Sequence, residues 1–246
     1  MEQQLRWPDL PAPYGEALRA AVEHILGRVT PRGIIVSGTI IRGTASRSSD
    51  LDIVVVNRAS VRQRIQRSFC GVPAEIFVNP LPMIERYVAD ERRRGRPVTA
   101  HMIATGWLLY AADDEVRALP ERAAAWLGQP PSATAQDLLL ARYMAASLIE
   151  DAADVAEADP ISAQYLLAQA LPEIVRYAFL SAGRYLPRPK DLRAALAEHM
   201  PQSAVLLDAA LAAPDLAARY AAALALADHV LGARGFFAWD GEPEEV

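Results

Sequence analysis

Residues 33–56 have the sequence GIIVSGTIIRGTASRSSDLDIVVV, and this stretch decides the fold. Its two ends, residues 33–37 and 51–56, are apolar and rich in β-branched side chains, which is typical of strands buried on both faces. The loop between them begins at Gly38 and ends at Asp50, and a second acid follows two residues later. The sequence therefore predicts two buried strands joined by a polar loop.

The residues of this loop suit a phosphate and a metal ion. Gly38 lets the backbone approach a ligand closely, Thr39 adds a hydroxyl donor, and a helix predicted to begin here would add its N-terminal dipole. Asp50 and Asp52 are two residues apart at the start of a strand, so their side chains face the same side. Two carboxylates in one place need a counter-cation, and Mg²⁺ binds both carboxylates and substrate phosphates. Each feature alone is explained by a solvated turn, but their combination predicts a phosphate and metal site.

The rest of the chain divides into a part with predicted strands and helices and a part with predicted helices alone. Further strands are predicted at 74–78 and 107–110, with helices at 14–28, 80–92 and 98–105. From Pro120 onward there is no strand pattern, and alanine- and leucine-rich stretches predict helices at 134–158, 161–183, 191–199, 204–212 and 214–232. Paired prolines in residues 128–132 indicate a linker. We therefore predict an α+β protein: an α/β domain with a small mixed sheet (1–127), then an all-helical bundle (128–246).

Composition excludes several classes of protein. Hydrophobic residues make up 52% of the 246 residues, which is too many for a disordered chain. The only cysteine, Cys70, excludes an internal disulfide and a multi-thiolate metal site, and it suits a cytoplasmic protein. No apolar run approaches the ~18 residues of a membrane-spanning helix. The net charge of −5 disfavours nucleic acid as a partner.

Charge is unequally divided along the chain. Residues 1–115 hold 15 arginines and 13 acids, a balance of +2, whereas residues 116–246 hold 10 basic and 17 acidic residues, a balance of −7. The acids of the second part include Glu150, Asp151, Asp154, Glu157 and Glu173. These acids either line a cleft for a cationic acceptor or form a solvated helix face, and the solvated face is the simpler explanation.

The glycine turn followed by Asp50-Leu51-Asp52 resembles the signature of the nucleotidyltransferase superfamily that shares the DNA polymerase β fold. Gly38-Thr39 matches its Gly-[Gly/Ser] element, with threonine where serine is commoner. The resemblance implies an N-terminal nucleotidyltransferase domain and two Mg²⁺ ions. Gly38 and Thr39, together with Ser37 and Ser49 beside the matched elements, are then expected to bind the nucleotide. Arg42, which flanks the loop, is expected to neutralise the triphosphate.

The family also implies a third carboxylate on a neighbouring strand, and Glu75 is the matching residue. An acid between apolar residues on a buried strand is costly unless it is paired or binds a metal; the alternative is an edge-strand glutamate that faces water. By resemblance, Asp50, Asp52 and Glu75 are the metal ligands and catalytic residues. In related antibiotic adenylyltransferases a glutamate at this point takes the proton of the acceptor hydroxyl, which predicts that role for Glu75.

Lys190 is the only lysine, in a chain whose other 24 basic residues are arginine. The segment around it resembles the Gly-x-x-x-Pro-Lys-Asp segment of streptomycin/spectinomycin-type adenylyltransferases, in which a lysine reaches toward the nucleotide triphosphate. A flexible, compact cation suits that task. The alternative is a solvated lysine at the start of a helix.

These resemblances predict an adenylyltransferase that moves AMP from ATP to a hydroxyl of a small, cationic, aminoglycoside-like acceptor and releases pyrophosphate. Two alternatives stay open. One is a nucleotidyltransferase that modifies a protein or tRNA, as in toxin–antitoxin systems. The other is a non-catalytic nucleotide-binding regulatory module, against which the retained acids Asp50, Asp52 and Glu75 argue.

Overall fold

The computed structural model of the protein describes residues 5–241. Five strands occupy the first half of the chain: β1 (Pro31–Ser37), β2 (Leu51–Asn57), β3 (Gln63–Phe69), β4 (Val72–Pro80) and β5 (Trp107–Ala111). The helices that accompany them are α1 (Tyr14–Leu26), α2 (Leu81–Arg93), α3 (Val98–Ala104), α4 (Asp114–Arg117) and α5 (Leu119–Leu127). The second half contains α6 (Ala135–Val155), α7 (Pro160–Ser181), α8 (Leu192–His199), α9 (Pro201–Ala212) and α10 (Leu216–Leu231).

The five strands form one mixed sheet in the order β3-β4-β2-β1-β5. β2 and β4 are parallel, and every other neighbouring pair is antiparallel. The antiparallel register sets Ser37 opposite Asp52, and the parallel register sets Asp52 beside Glu75. The predicted α+β class, with a small mixed sheet before a run of helices, is confirmed.

Each face of the sheet is covered by an apolar layer. On one face Ile53 and Val55 pack in a core that includes Leu18 and Val22 of α1. On the other face Val54 belongs to a core with residues of α2, α3 and α5. Residues alternate between the two faces along a strand. Asp52 and Glu75 therefore share the face of Val54.

The chain divides into two compact units. The sheet unit comprises the residues up to Glu91 together with Pro97–Gln129, and the helical unit comprises Arg92–Arg96 and the residues from Pro130 onward. In the helical unit an alanine- and leucine-rich core joins α6, α7 and α10. The domain division at residues 127 and 128 stays a prediction.

Side-chain caps explain where the long helices of the helical unit begin. Thr134 accepts from the backbone N–H of Asp137, whose side chain accepts from Thr134 in return, so this capping box starts α6. Asp159 and Asp215 accept from the backbone at the starts of α7 and α10. α7 continues through Pro172. None of the helices in residues 5–241 is long and apolar enough to cross a membrane.

Two details of the sheet unit differ from the sequence expectation. Residues 39–43 form turns, so the helix predicted to begin after Gly38 is wrong, and no helix dipole acts there. β3 was not predicted, because it is an edge strand whose side chains are mostly exposed and polar. Its link to β4 is a two-residue turn in which Cys70 and Gly71 both have positive φ, of 49° and 79°. Such turns join antiparallel strands tightly.

Candidate functional site

Three carboxylates gather on one face of the sheet. Asp52 lies near the start of β2, and Glu75 lies beside it on the parallel strand β4. Asp50 comes two residues before Asp52, where the loop enters the strand. All three side chains are partly buried. The structure thus brings together the three acids that the sequence identifies as candidates.

The crowding of these acids perturbs Asp52 strongly. Burial, followed by the negative charges of Asp50 and Glu75, raises the pKa of Asp52 from 3.8 to about 6. The positive charges of Arg42 and Arg64 offset only part of this effect. A carboxylate with excess negative charge around it is stabilised by a nearby cation. The site therefore favours a bound cation electrostatically.

A glycine turn passes directly over Asp52. Gly38 has a φ of 95°, and a Cβ at this position would lie 2.9 Å from Oδ2 of Asp52. Only glycine can adopt this backbone conformation without strain and also leave room for the carboxylate. Both the positive φ of the turn and the closeness of the Asp52 carboxylate therefore require glycine at position 38.

Gly38→Ala tests that reason. We expect transfer to fall about 10²-fold, because a displaced carboxylate loses its alignment with the reacting groups. Gly43→Ala is the matched control: it lies in the same loop at a φ of 71°, but an added Cβ would meet nothing within 4 Å. Rates of AMP transfer by the two variants, measured beside their thermal stability, separate the contact from the backbone strain. Equal losses in both would show that the contact with Asp52 is unimportant.

Hydroxyl groups hold the loop between β1 and β2 in shape. Thr39 Oγ1 and Ser49 Oγ are 2.7 Å apart, and the backbone N–H of Ser46 donates to Ser49 Oγ at 2.7 Å. Ser37 and Ser49 are buried, with 1% and 8% of their surface exposed. The Ser49 hydroxyl therefore works within the loop. Direct nucleotide binding by Ser37, Gly38, Thr39 and Ser49 stays a prediction.

Glu75 is engaged by the strand that sequence reasoning missed. Its carboxylate accepts hydrogen bonds from Arg64 Nη2, at 2.6 Å, and from Gln66 Nε2, both on β3. β4 lies between β3 and β2, so the alternative that Glu75 belongs to an edge strand is wrong. β3 itself carries little strand signal, because five of its seven side chains are exposed and polar.

The donor chemistry of Asp50 and Asp52 fits Mg²⁺, which prefers one or two carboxylates together with substrate phosphates. Glu75 fits less directly, because its oxygens are occupied by Arg64 and Gln66. Within residues 5–241, no group of three or more His, Cys, Asp or Glu side chains is placed so that it could hold a metal ion. Metal binding by all three acids stays a prediction, and it requires Glu75 to leave Arg64.

The predicted basic residues lie in different parts of the protein. Arg42 is near enough to Asp52 to lower its pKa, and its backbone N–H donates to the Gly38 carbonyl. Lys190 is exposed in a short 3₁₀ helix, Pro189–Asp191, of the helical unit. Next to it, Asp191 pairs with Arg188 at 2.6 Å. Lys190 thus belongs to a different unit from the acids, and its contact with a nucleotide stays a prediction.

Comparison with known proteins agrees with this arrangement at the level of the fold. No protein-family model and no curated protein matches the chain. Among solved structures, the chain is similar to a nucleotidyltransferase-like protein from Exiguobacterium sibiricum, with 15% sequence identity and a TM-score of 0.58. The match covers 88% of this chain and 73% of that protein. The chain therefore has a nucleotidyltransferase-like fold.

Proposed function

We propose that the protein is a Mg²⁺-dependent nucleotidyltransferase that moves AMP from ATP to a hydroxyl of a small-molecule acceptor and releases pyrophosphate. The observation that carries this proposal is the group formed by Asp50, Asp52 and Glu75 beside the Gly38 turn. The nucleotidyltransferase-like fold supports it.

Each part of the site has a task in this reaction. Asp50 and Asp52 would hold Mg²⁺, with Glu75 as the further ligand, and two such ions would neutralise the charge of the attacking and leaving oxygens. The Thr39 hydroxyl and the turn after Gly38 offer donors to the triphosphate, and Arg42 adds positive charge. Glu75 takes the proton of the acceptor hydroxyl as general base. Most of the rate enhancement then comes from positioning and fixed charge.

Lys190 is proposed to contact the triphosphate. We expect Lys190→Ala to raise the KM for ATP about tenfold, since a hydrogen bond to a charged group contributes about 1.5–3 kcal/mol. Arg188→Ala is the control, because it removes a neighbouring cation that is already paired with Asp191. Initial rates at varied ATP concentration give the KM of both variants. An unchanged KM and kcat in Lys190→Ala would leave the lysine as a solvated surface residue.

The identity of the acceptor is the finer part of the proposal. An aminoglycoside-like cation is one candidate class, supported by the resemblance and by the acids of α6. Glu150, Asp151 and Asp154 are all exposed on α6, whereas Glu157 lies beyond its end and does not continue the helical spacing. A solvated face therefore explains these acids at least as well as a binding cleft.

The proposed reaction is tested with Mg²⁺, ATP and a panel of aminoglycosides and other hydroxyl-bearing small molecules, with release of pyrophosphate as the readout. The toxin-like alternative predicts AMP on a protein or a tRNA instead, which mass spectrometry of candidate partners detects. The regulatory alternative predicts ATP binding without pyrophosphate release under any of these conditions.

A further inference from the structure

A pocket of about 460 Å³ lies within the sheet unit, on the sheet face that carries the acids. Its strand residues include Val54 and Phe77, which come two positions after Asp52 and Glu75 on the same strands. Because side chains two apart share a face, the pocket continues directly from the carboxylates along β2 and β4. Neither the similar solved structure nor the Gly38 and Asp50-Leu51-Asp52 motif assigns this pocket a ligand.

The order of the strands indicates which of the two substrates, the triphosphate or the acceptor, lies nearest the pocket. Across the sheet come the Gly38 turn after β1, then Asp52 on β2, then Glu75 on β4, with the edge strand β3 beyond. In an in-line displacement the attacking and leaving oxygens lie on opposite sides of the transferred phosphorus. If the triphosphate lies by the glycine turn, the acceptor hydroxyl approaches from the side of Glu75. The strand residues that line the pocket belong to β2, β4 and β3, which is that side of the sheet.

The lining of the pocket combines an apolar interior with positive charge. The apolar side chains are Val54, Phe77, Ile84, Val98 and Met102. Arg62 and Arg64 also line it. Arg62 Nη1 donates to the hydroxyl of Tyr87 at 2.6 Å, and the Arg64 guanidinium lies 5.1 Å from the centre of the Phe77 ring.

One acid also lines the pocket, and its oxygens are occupied. The carboxylate of Glu91 accepts from the backbone N–H and the hydroxyl of Thr99, both at 2.7 Å. Two arginines against this one acid leave the lining with an excess of positive charge. A planar apolar body with an anionic group matches this lining, whereas a polycation would meet Arg62 and Arg64.

We propose that this pocket binds the acceptor, and that the acceptor is a hydroxyl-bearing molecule with a flat apolar body and an anionic group that pairs with Arg62 and Arg64. This rests on the proposed function and names its substrate class. When the anionic group of the acceptor pairs with Arg64, it replaces the Glu75 carboxylate as the partner of this arginine. Acceptor binding thus frees Glu75, so Arg64 is a positioning residue.

The freed Glu75 carboxylate can accept the proton of the acceptor hydroxyl during transfer. The acceptor O–H bond breaks and its proton passes to Glu75, while the acceptor oxygen forms a bond to the α-phosphorus of ATP. The bond from the α-phosphorus to the oxygen that bridges it to the β-phosphorus breaks, and pyrophosphate leaves with that oxygen. The product is an AMP ester of the acceptor.

Binding of three matched probes to the full chain tests this proposal. They are 4-(hydroxymethyl)benzoate, the neutral 4-(hydroxymethyl)benzamide and the cationic 4-(hydroxymethyl)benzylamine. Each is titrated without ATP or Mg²⁺ up to ~20 mM, a concentration high enough to measure millimolar Kd values. Methyl NMR signals of Ile84, Val98 and Met102 report occupancy of the pocket. We expect the carboxylate to shift these signals and to bind at least about tenfold tighter than the amine.

Variants test whether Arg62 and Arg64 cause the preference for the carboxylate probe. Arg62→Gln and Arg64→Gln are expected to remove most of the preference for the carboxylate, and Arg193→Gln, which loses an exposed ion pair with Asp208 in the helical unit, is expected to keep it. The proposal is overturned if the amine binds as tightly as the carboxylate. It is equally overturned if no probe shifts the three methyl signals.

A transfer assay distinguishes failure of the pocket from failure of the proposed function. If the wild-type protein transfers AMP to some acceptor and both arginine variants do so with unchanged acceptor KM, the pocket is not the acceptor site. If the wild-type protein transfers AMP to no acceptor, the proposed function fails, while the probe titrations still decide what the pocket binds.

Discussion

Asp52→Asn is expected to reduce AMP transfer by at least about 10³-fold, because the metal ion that Asp52 would hold supplies several kcal/mol of charge stabilisation in the transition state.

The same substitution is expected to stabilise the protein in the absence of Mg²⁺. Burial and the charges of Asp50 and Glu75 raise the pKa of Asp52 to about 6, so its ionised form is unfavourable in the folded state. Removing that charge contributes ~1–3 kcal/mol to the free energy of unfolding at pH 7.

The pH dependence follows from the direction of this shift. A carboxyl whose pKa is raised on folding favours the folded state below pH 3.8, and this contribution is lost as the pH rises through about 6. Urea unfolding between pH 4 and pH 7 should therefore show a decline in the wild-type protein that is reduced in Asp52→Asn. With Mg²⁺ and ATP the wild-type protein should gain thermal stability, and the variant should gain less.

Asp114→Asn is the control for both readouts, because Asp114 lies in the sheet unit and its side chain is 95% exposed. It should leave transfer and stability nearly unchanged. Wild-type transfer by Asp52→Asn would contradict the assigned role of the acid. A stability lower than that of the wild-type protein at pH 7 would contradict the electrostatic account.

Glu75→Gln is expected to slow transfer about 10²- to 10⁴-fold, the usual contribution of a general base. The KM for ATP should change little, because the proposed base acts on the acceptor hydroxyl. Glu85→Gln is the matched control: Glu85 also pairs with an arginine, Arg122, within the sheet unit. Single-turnover rates with saturating ATP separate the chemical step from binding. Normal turnover in Glu75→Gln would exclude the base role.

The sequence was sufficient to predict the strands that carry the acids. Residues 33–37 and 51–56 are continuous apolar runs, and the structure buries them as β1 and β2 in the middle of the sheet. The spacing of Asp50 and Asp52 was enough to place both acids together. These predictions succeeded because burial on both faces of a strand leaves a strong apolar signal.

The parts that failed depend on contacts that no local pattern encodes. β3 has only Ile65 and Phe69 as partly buried apolar side chains, so its alternation is too weak to recognise. Its Arg64 and Gln66 contact Glu75 only because the register of β3 and β4 places them there. The helix expected after Gly38 is replaced by turns, in which side-chain hydroxyls of Thr39 and Ser49 hold the loop. Local side chain–backbone hydrogen bonds, such as that from Ser46 N–H to Ser49 Oγ, compete with helix formation.

Transfer of label from ATP tests whether the protein moves AMP to an acceptor and whether Asp52 is required. The wild-type protein and Asp52→Asn are incubated with Mg²⁺ and ATP labelled on either the α- or the γ-phosphate. The candidate acceptors are aminoglycosides, hydroxyl-bearing aromatic acids and a small-molecule cell extract. We expect α-label to enter a new product with the wild-type protein, γ-label to leave only as pyrophosphate, and Asp52→Asn to form the product at least about 10³-fold more slowly. Entry of γ-label into the product, or equal α-labelling by the variant, would contradict this expectation.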